Sequence, residues 1–500
     1  MHLWLVAALV AGLMLTVAPV QRAGAAGFTV TSAGDSGAGT LRQAILDANS
    51  NGLDDTITFD TTQMGGSTIT LTSGELLINS NIAIDGTGIT ISGDGNSRIF
   101  RIDNGTVAID GLTITDGKSP VPLQGVSGQG GAMYVAGGTV TLNMVTISAS
   151  TAVAYGQGVG EPGALGGGLY VGGGTVTLTE STITGNTAGS GANGGRGGGV
   201  FVTGAGVVAL IKSTLKDNNA SGGGGTPESG GLGGGLYVAG GSATLTDTTV
   251  NNNEAQAGGQ FGGRGGGLFV GLASATLTNS TVSGNTAAAG GSFSGLGGGF
   301  YIASVSAVSY GSATLTNSPV NSNTAGGGAA LGGNFFFEAN GTATLANTIV
   351  ANGGAAPKNC NKIGGGASAN VVNTTNNLDD DASCVTGGNG SIVNQAANLG
   401  TLADNGGPTW THLPLAGSPA IDAGDNATCA AAPVNNVDQR GFTRPRDGDA
   451  NTTAICEIGA VEIATPNPAP QITQLTPPSV AVNSPTFELT VSGNDFVDGV

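Results

Sequence analysis

The side chains able to do chemistry are few. Between Ser119 and Asn340 there are seven acids (Glu161, Glu180, Asp217, Glu228, Asp247, Glu254, Glu338) and four bases (Arg196, Lys212, Lys216, Arg264). Three of them, Glu180, Lys212 and Asp247, fall at equivalent places in successive sequence repeats, a column that Asn279 and Asn317 continue. At strand spacing, roughly 4.8 Å, acid, base and acid could form a site for polysaccharide cleavage. Glycoside hydrolysis needs converging carboxylates, and lyase chemistry needs acids holding calcium plus a base to take the proton. The plainer reading is a turn column of mutually neutralising charges, because exposed ion pairs contribute little. We expect the plainer one, and so no catalytic residue. Histidine is confined to His2 and His412, which leaves the repeats without a His-based site. The densest charge pattern is Asp438-Gln439-Arg440-Gly441 with Arg444, Arg446, Asp447 and Asp449. The bidentate geometry of arginine favours an internal Arg-carboxylate lock there over a calcium site. No cofactor or metal is expected; calcium is the one ion left open.

Whatever these residues do, a repeated phrase positions them. Variants of GGGLYV recur from Gly130 to Phe337, and their aromatic positions Tyr134, Tyr170, Phe201, Tyr237, Phe269, Tyr301 and Phe336 are 36, 31, 36, 32, 32 and 35 residues apart. A period of this size signals a solenoid, in which no repeat can bury its own apolar face. Within one repeat the alternation is period two, as in Val176-Thr177-Leu178-Thr179 and then Ser181-Thr182-Ile183-Thr184, so the elements are strands. Three short strands per turn follow. Stacking them in register predicts buried columns at Leu178, Leu210, Leu245, Leu277 and Leu315, and at Ile183, Leu215, Val250, Val282 and Val320. Three residues after each third-strand aliphatic comes Ser150, Asn186, Asn218, Asn253, Asn285, Asn323 or Asn352. Asparagine tolerates left-handed turns and its amides can bond from rung to rung, which predicts a structural ladder.

Two outward-facing features could bind a partner. If Leu169 and Val171 point inward, Tyr170 points outward with Tyr237, Phe269 and Tyr301. These rings would either stack on sugars or be covered by the glycine-rich loops; exposed aromatic patches are uncommon, which favours cover. The pairs Thr177/Thr179, Thr244/Thr246, Thr276/Thr278 and Thr314/Thr316 make a second-strand threonine ladder, interrupted at Asn143, Ala209 and Ile211. It resembles the ice-facing surface of β-helical antifreeze proteins, although threonine is also an ordinary choice for a solvated strand face.

Composition sets the boundaries. The 500 residues carry a net charge of −18, which disfavours nucleic acid as a partner. With 94 glycines and 9% charged residues the chain would read as low-complexity, were it not for its regular aliphatic positions. Leu3 to Val20 is an apolar run followed by Ala23-Gly24-Ala25, which reads as an export signal with cleavage near Ala25 or Ala26, despite the lack of a preceding base. No second apolar stretch has membrane-spanning length. All four cysteines lie late, and their order favours Cys360 with Cys384 and Cys429 with Cys456, bonds that an exported protein permits. At the N-terminus Thr40-Leu41-Arg42-Gln43 fits a capping box opening a helix over Leu41 to Asn49. That helix would lay Leu41, Ile45 and Ala48 over the first rung.

Three stretches resemble known families. The run TVTSAGDSGAGTLRQAILDAN and the GGGLYV and GNTA phrases are similar to bacterial right-handed parallel β-helix proteins, including those related to chlamydial polymorphic outer membrane proteins. Asn398 to Glu462 (NLGTLADNGGPTWTHLPLAGSPAIDAGD, DQRG, CEIGAVE) resembles the choice-of-anchor Q region, and Pro470 to Val500 resembles the opening of an IPT/TIG immunoglobulin-like domain. The expected organisation is a signal (1–26), an N-terminal cap (27–55), a right-handed parallel β-helix (56–397), the choice-of-anchor Q-like region (398–463), and a linker with the start of a β-sandwich (464–500). The resemblance implies an exported, surface-associated protein; our own reading adds a structural or adhesive role, secreted or at the cell surface, with an extracellular glycan or surface protein as partner. It carries no catalytic residue across. The alternatives are a carbohydrate-active β-helix enzyme and, third, ice binding.

Overall fold

The computed structural model describes residues 25–494 except 122, 156–162, 190–191, 225–229, 307–308, 328–331, 354–357, 363–369, 465–470, 480–485 and 487. Residues 1–24, most of the expected export signal, lie outside them. The period-two alternation forms short strands, and the roughly 33-residue period stacks them into an all-β parallel β-helix. In one repeat the strands are Leu236–Val238, Ser242–Thr246, Thr249–Asn251 and Glu254–Ala255. Each pairs in parallel with its counterpart one turn on, Leu236 with Leu268, Leu245 with Leu277, Val250 with Val282 and Ala255 with Ala287. First, second and third strands build sheets of ten, twelve and twelve strands. A turn therefore holds one strand more than the expected three: the two residues after the ladder position, Thr-Ala in four of the rungs, form a sheet of six two-residue strands.

The predicted columns are buried in one continuous core. Each such aliphatic side chain contributes about 1.5–3 kcal/mol on leaving water. The corner between second and third strands is left-handed, with φ from 46° to 51° at Met144, Glu180, Lys212, Asp247, Asn279, Asn317 and Asn347.

The asparagine ladder exists, but not as a left-handed one. The residue before it takes the left-handed φ, as at Asp217 and Asn252, and the asparagine turns its side chain into the corner. Nδ2 of Asn186 donates to Oδ1 of Asn218 at 3.0 Å, and the chain of amides continues through Asn253, Asn285 and Asn323. It then passes to Asn334 and Asn359 instead of Asn352. Asn352 occupies the left-handed position itself (φ 51°). The inner position behind it is Gly353, whose N–H donates to Asn359 Oδ1 at 2.9 Å, so a residue of the next loop fills the missing amide.

This packing also accounts for the glycine triplets. Gly233 has φ 64°; a Cβ on Gly234 would lie 2.4 Å from the carbonyl carbon of Glu254 and from the oxygen of Gly266; a Cβ on Gly235 would meet Asn253 at 3.0 Å. The first glycine makes the turn, and the other two let the chain pass against the next rung and the ladder.

The cap helix runs from Leu41 to Asn51, longer than expected by two residues, and buries Leu41, Ala44, Ile45 and Ala48. Thr40 accepts from the Gln43 N–H, but the Gln43 side chain donates to Asp47, so only half of the capping box forms. Gly27–Val30, within the stretch read as cap, is already a strand of the second-strand sheet, paired with Asp55–Phe59. Both disulfides form as paired from sequence. Gln471–Thr476 and Thr490–Asn494 pair antiparallel. Among the described residues no helix is long and apolar enough to cross a membrane.

Candidate functional site

The third strands present one polar residue at each end to the outside. Thr146, Thr182, Thr214, Thr249 and Thr281 stand in register along one row, and Ser148, Thr184, Lys216, Asn251 and Ser283 along the other. Register alone would expose them equally, yet Thr182 and Thr214 are half-buried while Thr249 and Thr281 are fully buried. The C-terminal segment covers the second half of this sheet. Thr249 Oγ1 donates to the Trp410 carbonyl at 2.6 Å, and Thr281 Oγ1 to Gln439 Oε1 at 2.7 Å. His412 Nε2 lies 2.8 Å from Ser283 Oγ, and burial pushes its pKa down, which favours the neutral ring. Asn279 Nδ2 donates to the Val437 carbonyl, and Asn347 Oδ1 accepts from the Asp425 N–H.

Where that cover ends, a groove of about 470 Å³ opens between Pro408 and Trp410 on one side and Thr182, Thr214, Lys216, Asp217, Asn251 and Asn252 on the other. It adjoins a second hollow of about 440 Å³ that shares Asp217 and Asn252 and adds Glu254 and Thr286. Trp410 is 51% exposed, unusual for an indole in a folded segment. Lys216 extends from the third strand and Asp217 from the left-handed corner after it, with Nζ and Oδ2 3.9 Å apart. The groove thus offers an aromatic face opposite hydroxyl and amide groups, with a weakly paired base and two acids beside them.

The residues singled out from sequence lie elsewhere. Glu180 and Lys212 are exposed on the other corner, and among the described residues no ion pair joins them or Asp247. The expected turn column is present; among the described residues its expected neutralisation by ion pairs is not. Asp247 is partly covered by the C-terminal segment, whose Thr409 hydroxyl donates to its carbonyl at 2.9 Å. Its Oδ1 is buried with no hydrogen-bond partner, and burial raises its pKa to about 6. A folded-state pKa above the unfolded value of about 3.8 means that ionisation costs stability, so stability falls as pH rises through the window from about 4 to 6. Asp247→Asn should unfold later than the parent at pH 7, and its pH–stability curve from denaturant titrations should be flatter across that window.

Tyr170, Tyr237, Phe269 and Tyr301 stack on one another with Tyr134, Phe201 and Phe336, ring centroids 4.4 to 5.6 Å apart. Leu232 and Leu296 of the glycine-rich loops cluster with Tyr237, Phe269 and Tyr301, and along the whole stack the faces that sugars would use are filled by neighbouring rings. The Arg-carboxylate lock is present: Arg440 binds Asp438 at 2.8 Å, and Arg444 lies 3.7 Å from Glu462 with both side chains fully buried. Asp447 and Asp449 instead meet Asp422, with carboxylate oxygens within 4.8 Å of one another, a donor set that a hard cation would suit. Trp410 carries no local signal in the sequence, since its role depends on a sheet more than 150 residues earlier in the chain.

No protein-family model matches the chain, and neither does any curated protein. Among solved structures the chain is similar to pectate lyase Pel9A (14% identity, 88% of this chain and 97% of that one, TM-score 0.46). It is also similar to the Dettilon tailspike protein gp208 (12% identity, 71% of this chain and 63% of that one, TM-score 0.37). At these identities the likeness is one of fold.

Proposed function

We propose that the chain is an exported β-helix module of structural and adhesive type that holds an extracellular carbohydrate chain in the groove beneath Trp410. The carrying observation is the half-exposed indole facing a row of threonine and asparagine side chains. A sugar ring has one apolar face and an edge of hydroxyls, and this groove offers a partner to each. Two disulfides support an oxidising, extracellular setting. The family resemblances stated above, including the choice-of-anchor Q region that contributes Trp410, agree with a surface protein.

A second reading, polysaccharide cleavage, has one observation in its favour: Lys216, Asp217 and Glu254 converge on the same groove system. We favour binding because the one amine there is paired, at 3.9 Å, with the Asp217 carboxylate, while the aromatic face and the neutral polar row stand open. Trp410→Ala should weaken binding of responsive oligosaccharides by at least about tenfold in calorimetry, the scale of a lost aromatic anchor. Binding that survives the substitution overturns the site. Cleavage of the bound glycan that disappears in Lys216→Ala, with the fold intact, would establish the enzyme instead.

A further inference from the structure

We infer that this groove selects neutral, hydroxyl-rich glycans and excludes polyuronates; the inference rests on the binding reading above. Among the described residues, the charged groups that line the two adjoining hollows are Lys216, Asp217 and Glu254, one base against two acids. The base is 3.9 Å from one of the acids, so its attraction for an arriving carboxylate is partly offset by that acid's repulsion. No arginine among the described residues lines either hollow, and a guanidinium fork is the group that grips a carboxylate at two points. In the groove under Trp410 the remaining polar lining is neutral: Thr182, Thr214 and Asn251 offer hydroxyls and an amide that pair with sugar hydroxyls as donors and acceptors alike, while the Asn252 amide donates to Asp217. A uronate laid on the indole would bring its negative charge toward Asp217, with Glu254 in the adjoining hollow, on a chain already carrying a net charge of −18.

The test uses the full chain and calorimetry with two probe series, neutral β-glucan, xylan and galactan oligosaccharides and galacturonate oligosaccharides, at low and high salt. EDTA is present throughout, with a calcium-supplemented arm. At least one neutral series should bind with little salt dependence. The uronates should bind at least about tenfold more weakly at low salt, a like-charge effect of the size expected a few ångströms apart in a solvated groove, and the gap should narrow as salt screens it. In Asp217→Asn/Glu254→Gln the ratio of uronate to neutral affinity should rise about tenfold. Uronates binding as tightly as neutral glycans, in EDTA or through added calcium, overturns this inference while leaving the groove intact. An unmoved ratio in the double variant also overturns it. Failure of both series to bind overturns the groove reading along with it.

Discussion

Gly234→Ala should leave no soluble folded protein, or lower stability by more than about 3 kcal/mol, the upper end of what overpacking costs. The new methyl group would stand 2.4 Å from the Glu254 carbonyl carbon and 2.4 Å from the Gly266 oxygen. Both are backbone atoms of strands or loops paired to their neighbours, so neither can move without breaking the rung above or the corner beside it. Gly224→Ala is the control, since nothing lies within 4 Å of its added Cβ. It should be neutral or gain up to about 1 kcal/mol from a less flexible unfolded chain. Soluble yield and denaturant midpoints of the two variants decide the matter. Equal behaviour would mean that the triplets are a compositional habit rather than a packing requirement.

The second large effect is expected at the centre of the amide ladder. Asn253 Nδ2 donates to the Leu215 carbonyl at 2.9 Å and to Asn285 Oδ1 at 2.9 Å, while its Oδ1 accepts from both the backbone and the side-chain nitrogen of Asn218. Asn253→Ala leaves those partners buried and unsatisfied, at about 1–3 kcal/mol for each group that water cannot reach. The loss should reach about 3 kcal/mol or more in denaturant unfolding. Asn253→Asp offers no rescue, because a carboxylate cannot donate to Leu215 and adds a buried charge. Asn352→Gly should cost no more than about 1 kcal/mol, the net worth of one hydrogen bond; among the described residues its side-chain amide bonds to Asn321 alone, its backbone N–H keeps Asp380 in the variant, and glycine accepts its left-handed backbone readily. A large loss at Asn352 would return it to the ladder and refute the register described here.

The two periods of the chain explain which of these features could be read in advance. The alternation of Val176-Thr177-Leu178-Thr179 and the recurrence of the aromatic positions are both local signals, and together they specify the columns, the parallel register and the stacked rings. The fourth strand gives no such signal. It is two residues long, too few to show a period, and its first residue changes from Thr187 to Asn219, Glu254 and Thr286 in successive rungs. Asn352 misleads because it sits three residues after Ile349, whereas the aliphatic in register with Val320 is Val350, so the inner position falls on Gly353. The groove is illegible for a different reason. Gln439 reaches Thr249 across 190 residues of sequence, and no local pattern reports which sheet face a later segment will cover. Composition did limit the answer: scarce charges and a single histidine after His2 left few chemistries to place.

The covering segment has a mechanical consequence. In a bare solenoid each repeat touches only its neighbours, so a pull at one end can peel off one turn at a time. Here residues 409–459 are fastened to Thr249, Thr281, Ser283 and Asn347. Tension arriving at Val461 is shared among those attachments, so peeling one turn between Thr249 and Asn347 also requires breaking the segment's bonds to it. The segment works as a splint, bracing turns that would otherwise fray one at a time.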